Sequence, residues 1–189
     1  MDIGQGAGLS GASGVRPFLP ALLAGALARE DTGLDFSGTD FSFLESPWFL
    51  VAVFALAVGA YLLQRRGLSG VIDRVMLALG VVLGALLFAG SLADNGHESW
   101  PGIVAGVVCA ALGYFAVAAL FARARKRISD SGGAVALLDA YADAIALALA
   151  GLSILFPPLA FVALAAFLVL IVRSRGESAQ KYEGLRSLR

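Results

Sequence analysis

The sequence predicts an all-α polytopic membrane protein, with five full spans and a broken or re-entrant Gly/Pro-rich helix at the N-terminus. Three observations carry the prediction. Hydrophobic residues make up 59% of the 189 positions, and the mean hydropathy is +0.83. The apolar residues fall in long runs parted by short polar turns, as bilayer-crossing helices require. Lys and Arg gather in alternate connections, the pattern that sets orientation in a membrane.

The N-terminal element is the least ordinary. Residues 1–7 are short and Gly-rich and read as an interfacial lead-in. Residues 8–28, beginning GLSGASGVRPFLPALLAG, are mostly apolar yet carry glycines, serines, two prolines and Arg16. Glycine and proline disrupt helices unless neighbouring helices or water satisfy the freed backbone. Two short helical pieces meeting at a break around Ser13–Arg16 are therefore expected, with Pro17 at the first position of the second. Its uniformly apolar part, 17–28, is shorter than the roughly 20 residues a crossing needs. It crosses as half-helices or dips in and returns.

Residues 29–46 are acidic, with Phe36, Phe41 and Phe43 interspersed, and read as a surface loop whose aromatics dip into the membrane. Spans are expected over 47–63, 71–92, 102–121, 134–156 and 159–172, in a single integral membrane domain. Pro47 and Pro101 stand at helix starts, and Pro157-Pro158 makes a sharp corner. Gly80 and Gly84 give a spacing that lets another helix approach closely. Residues 173–189 form a polar, basic tail.

Arg65, Arg66 and Arg74 share one connection, Arg123 to Arg127 another, and five further Lys and Arg lie in the tail. The connections at 93–101 and 157–158 carry none. Every basic cluster thus falls on one side, which places the C-terminus in the cytoplasm. Met1-Asp2-Ile3 lacks the basic start of a cleaved signal peptide. Net charge is zero, so nucleic acid is not an expected partner. The expected partners are the bilayer and further copies of the chain, a homodimer first.

One cysteine, Cys109, and one histidine, His97, make neither a disulfide nor a transition-metal cluster, and no cofactor or metal is expected. No GxSxG, P-loop or paired-histidine motif is present, so the chain does not read as an enzyme. The chemistry lies in buried charge. A helix starting at Pro17 aims free N–H groups and the positive end of its dipole at the break, where Arg16 adds a full charge. Ser13, Gly14, Arg16, Pro17 and Phe18 thus form a candidate anion site. Asp139 and Asp143 are four apart, on one helix face. Asp143 stands about 15 Å along its helix from residue 134, near mid-bilayer. An aspartate there costs about 2.5–3.5 kcal/mol on the mildest scale, so it must face protein or water. Asp143, Asp139 and, nearer the surface, Asp73 are candidate coupling or gating carboxylates. Arg16 and Asp143 are expected in one intramembrane cluster, because each charge is costly alone.

SGVRPFLPALLAG at 13–25 and KYEGLRSLR at 181–189, with Asp143 followed by Pro157, resemble a family of small bacterial integral-membrane proteins of unknown function, domain of unknown function 4126. The resemblance implies a shared fold, a multi-pass location in the bacterial inner membrane, and no agreed activity. Locally, VRPFLPALLAG at 15–25 is similar to the re-entrant segments of the DedA lipid translocases, through Arg16, Pro17 and the Ala24-Gly25 pair. Together the readings favour a transporter or translocase for a small anion or an anionic, phosphate-bearing lipid headgroup. The alternative is a structural or accessory membrane protein in which the Arg–Asp pair only holds helices together.

Overall fold

A computed structural model describes residues 2–65, 69–127 and 132–186. These form seven α-helices and one 3-10 turn, with no strand among the described residues. The helices are α1 (Asp2–Val15), α2 (Phe18–Arg29), α3 (Pro47–Arg65), α4 (Ser69–Asp94), α5 (Trp100–Arg127), α6 (Gly132–Leu155) and α7 (Pro158–Arg186); the 3-10 turn is Ser42–Glu45. Three helical stretches are long and apolar enough to cross a membrane: Arg74–Asp94, Ser99–Ala118 and Leu137–Leu155. Of the five expected spans, two are shorter: the apolar parts of α3 and α7 are Pro47–Leu63 and Pro158–Arg173. α7 also continues as helix to Arg186, so the polar tail from 173 onward begins inside a helix.

The centre of the fold is α1. Every residue from Gly4 to Val15 is buried, so residues 4–7 of the Gly-rich lead-in pack inside the fold while Ile3 is exposed. The cause is size. A helix built from glycine, alanine and serine lets neighbours approach to backbone contact, the main source of attraction between helices in lipid. α1 meets α4, α5, α6 and α7. A Cβ at residue 14 would be driven into the carbonyl of Ala110 on α5, and one at residue 113 into the carbonyl of Gly11. The Gly80–Gly84 spacing serves the same end: a Cβ at residue 80 would stand 2.7 Å from the Ser13 carbonyl oxygen. Polar groups within this packing are satisfied locally. The Ser10 hydroxyl donates to the Gly106 carbonyl at 2.6 Å, and that of Ser153 to the Ala150 carbonyl at 2.8 Å.

α1 and α2 are the two arms of a helical hairpin. Gly4 lies against Pro157, at the corner between α6 and α7. From there α1 descends past Ser153 at Gly8, and Arg16 reaches Asp139 and Asp143 on α6. α2 then runs back, with Leu23 near Gly151. The Gln5 side-chain amide donates to the Gly33 carbonyl at 2.6 Å, so the two open ends meet. α2 ends in a Schellman-type turn: Asp31 N–H donates to Ala28 and Thr32 N–H to Leu27, with Asp31 at φ +51°. α4 ends in the same way, with Gly96 at φ +74° in the left-handed position.

The 29–46 segment does not turn all three of its phenylalanines outward, as a loop dipping its aromatics into the membrane would. Leu34, Phe36 and Leu44 are buried in the core formed by α2, α3 and α4. Phe36 packs on Gly90, and its N–H donates to the Glu45 carboxylate. Phe43 alone among the three phenylalanines is well exposed. The Ser37 hydroxyl and N–H both donate to Asp35 and hold its carboxyl below the usual range. The segment is a plug over the open end of the hairpin.

Candidate functional site

The break at the hairpin tip follows from Pro17. Its nitrogen carries no hydrogen and cannot donate to the Ser13 carbonyl, and its ring clashes with a carbonyl four residues back. The α1 ladder therefore ends with Arg16 N–H donating to the Ala12 carbonyl at 3.0 Å. Pro17 has helical angles, φ −64° and ψ −39°, and α2 starts at once with no side-chain cap. The first N–H groups of α2 are left without intrahelical partners, as at any helix start.

α6 brings the carboxylates to this tip. Ala142, Ala146 and Ala150, spaced by four, are buried. That stripe seats α6 on the hairpin and leaves Asp139 and Asp143 flanking it, one turn apart. Arg16 Nη2 lies 2.9 Å from Asp139 Oδ1 and also donates to the Asp139 main-chain carbonyl at 3.1 Å. Arg16 Nε lies 2.7 Å from Asp143 Oδ1. This second contact is an ion pair and not an aligned hydrogen bond, since Nε is buried and its N–H finds no acceptor in line. The Arg16 side chain is 23% exposed, and those of Asp139 and Asp143 are 45% and 48% exposed. One guanidinium thus faces two carboxylates, and with all three ionised the cluster carries one net negative charge.

Beside the cluster is a cavity of about 170 Å³, bounded by Arg16, Pro17 and Phe18 at the tip, Tyr61 on α3, Met76 on α4 and Asp143 on α6. A larger cavity, about 310 Å³, lies at the other end of α1 between Ile3, Leu92, His97, Pro157 and Phe161, and is mostly apolar.

Of the expected site residues, Arg16, Pro17, Phe18 and Asp143 come together around the smaller cavity, with Asp139 one turn away. Ser13 and Gly14 do not. The Ser13 hydroxyl is fully buried and donates to the Leu9 carbonyl at 3.0 Å within its own helix, and Gly14 is spent on the contact with α5. Asp73 is in α4, and its side chain lies outside the described residues. Tyr61 and Met76 were not anticipated. Nothing in the sequence distinguishes them from other lipid-facing or core side chains of apolar helices until the α2–α3–α4 neighbourhood is known.

A family profile described as Domain of unknown function (DUF4126) matches residues 3–176. No curated protein and no solved structure matches the chain. The local likeness of residues 15–25 to the DedA motif finds no counterpart in these comparisons.

Proposed function

The chain belongs to the DUF4126 family, a grouping without an assigned activity, and we propose that it is a membrane transporter or translocase for a small anion or an anionic lipid headgroup. The observation that carries this reading is the Arg16 guanidinium at the tip of a helical hairpin, lining a cavity together with the uncapped start of α2. The positive end of a half-helix beside a guanidinium is suited to a phosphate or carboxylate, and broken helices meeting within the bilayer are a recurrent way of building such a site. In this reading the α1–α2 hairpin is re-entrant. It enters from the side of the 29–46 plug, opposite the basic connections, and its tip lies roughly 18 Å along α6 from Leu155, counted at about 1.5 Å per residue from Asp143. The basic connections and the C-terminus are cytoplasmic. The carboxylates act as the gate: an anion reaches Arg16 only when one of them is neutralised or withdraws.

A second reading has its own support. Arg16 is engaged by both aspartates, by Asp139 through its carboxylate and its main-chain carbonyl, which suits a purely structural clamp. Proteoliposomes separate the two. Efflux of labelled inorganic phosphate and scrambling of fluorescent phosphatidylglycerol distinguish a free anion from a lipid headgroup. The Arg16→Ala, Asp143→Ala double variant, if folded, should lose whichever flux the natural protein shows. No flux of either probe from the natural protein, or undiminished flux from the double variant, favours the clamp.

A further inference from the structure

The two carboxylates on Arg16 are not equivalent, and we infer that Asp143 is the proton-carrying member of the cluster while Asp139 is the fixed anchor on which the Arg16 guanidinium turns. The inference deepens the transport reading and rests on it for its functional meaning. Its physical basis is independent. Asp139 holds Arg16 Nη2 twice, through Oδ1 and through its main-chain carbonyl, and does not border the cavity. A main-chain carbonyl stays an acceptor whatever the protonation of the side chain, so this end of the guanidinium remains held. Asp143 holds only Nε, out of line, and its carboxylate borders the cavity from which a proton or substrate would arrive.

Charge decides the rest. Two carboxylates on one guanidinium leave one negative charge in excess, and a single proton cancels it. Among the described residues, the ionisable side chains facing Asp143 are Arg16 of α1, Asp139 of its own helix and Tyr61 of α3. α2 and α4 offer apolar Phe18 and Met76 there, and α5 and α7 meet α6 through apolar side chains such as Val117 and Phe167. When Asp143 takes a proton from the cavity, an O–H bond forms and the cluster becomes neutral. Arg16 Nε is then released toward the cavity while Nη2 stays on Asp139. An anionic group binding at Nε restores one negative charge. The proton and one anion charge thus travel together, one for one.

The test needs no substrate. Infrared difference spectra of the purified protein in lipid nanodiscs, recorded as pH is lowered, should show, over the bands of exposed carboxylates that all variants share, one protonated-carboxyl band that is lost in Asp143→Asn and kept in Asp139→Asn. Asp143→Glu, which retains a carboxylate, guards against loss of folding: the band should persist with a displaced midpoint. Loss of the band in Asp139→Asn with retention in Asp143→Asn overturns the assignment, as does a natural protein showing no such band or two equal ones. Titration as expected without flux in proteoliposomes would count against transport alone. Flux that stays proton-coupled in Asp143→Asn would overturn the inference and leave transport standing.

Discussion

Removing Arg16 should cost far more than removing either of its partners, because the cluster is unbalanced. Each carboxylate lies within 3 Å of a guanidinium nitrogen. With charge centres about 4 Å apart and an effective dielectric constant near 20, each attraction is on the order of 4 kcal/mol before desolvation is counted. The carboxylates themselves sit on neighbouring turns, about 6 Å apart, and repel by about 3 kcal/mol on the same basis. Asp139→Asn or Asp143→Asn surrenders one attraction and relieves the repulsion, a net loss of about 1 kcal/mol. Arg16→Ala surrenders both attractions and keeps the repulsion. Partial exposure of all three side chains softens the outcome to about 3–5 kcal/mol, the usual cost of stranding a charge. For a chain of this length 1 kcal/mol moves Tm by roughly 2–4 °C. Arg16→Ala should therefore lower the midpoint of thermal aggregation in detergent by about 10 °C, and each Asn variant by only a few degrees. The triple variant lacking all three charges should regain most of the loss. Equal shifts for Arg16→Ala and the single Asn variants, or no recovery in the triple variant, would refute the charge argument.

Two further outcomes test the packing. Gly14→Leu should abolish folded protein, because its side chain meets the Ala110 backbone and cannot be accommodated by a rotamer change, whereas Gly59→Ala, at a site with open space, should leave the yield of monodisperse protein unchanged. Phe36→Ala should destabilise by about 3–5 kcal/mol, the usual cost of emptying a buried phenylalanine site, and Phe43→Ala by much less; comparable thermal shifts for the two would return the 29–46 segment to the membrane surface.

What could be read in advance was local. Pro17 breaks a helix wherever it stands, so the tip was visible in the residues. The four-residue spacing of Asp139 and Asp143 fixes a shared face before any fold is known, and the scarcity of deep opposite charges pointed them at Arg16. What could not be read was long-range. The stretch Ser13-Gly14 has open backbone, which suits a ligand, and small side chains, which suit a tight helix crossing; composition is the same for both, and the α1–α5 contact decides for the second. Phe36 likewise has the same alternatives of lipid or core, and only the return of α2 to the start of α1 creates the core it fills. That return is set by which helices clasp α1, and no periodicity within residues 8–28 records it.

The packing around the tip is uneven, and this yields the last prediction. α1 is gripped on four sides by α4, α5, α6 and α7, whereas among the described residues α3 meets α2, α4 and the 3-10 turn. Glycines bring α4 and α5 to backbone contact with α1, which leaves little room along those two crossings. Space remains where α3 closes over the tip, and there its lining changes from bulky to small at Ala57 and Ala60, which leaves the cavity of about 170 Å³. An engineered apolar cavity of about 150 Å³ admits benzene, so an indole is of the right order to fill this one. Ala57→Trp should therefore block flux in proteoliposomes while leaving the Arg16 contacts in place and the thermal midpoint within a few degrees of the natural protein. The matched control is Phe54→Trp, on an exposed part of the same helix, which should change neither. Unimpaired flux through a stable Ala57→Trp variant would mean that the cavity beside Arg16 is not on the path. The guanidinium would then serve the fold as a clamp between the hairpin and α6, and the transport reading would lose the observation it rests on.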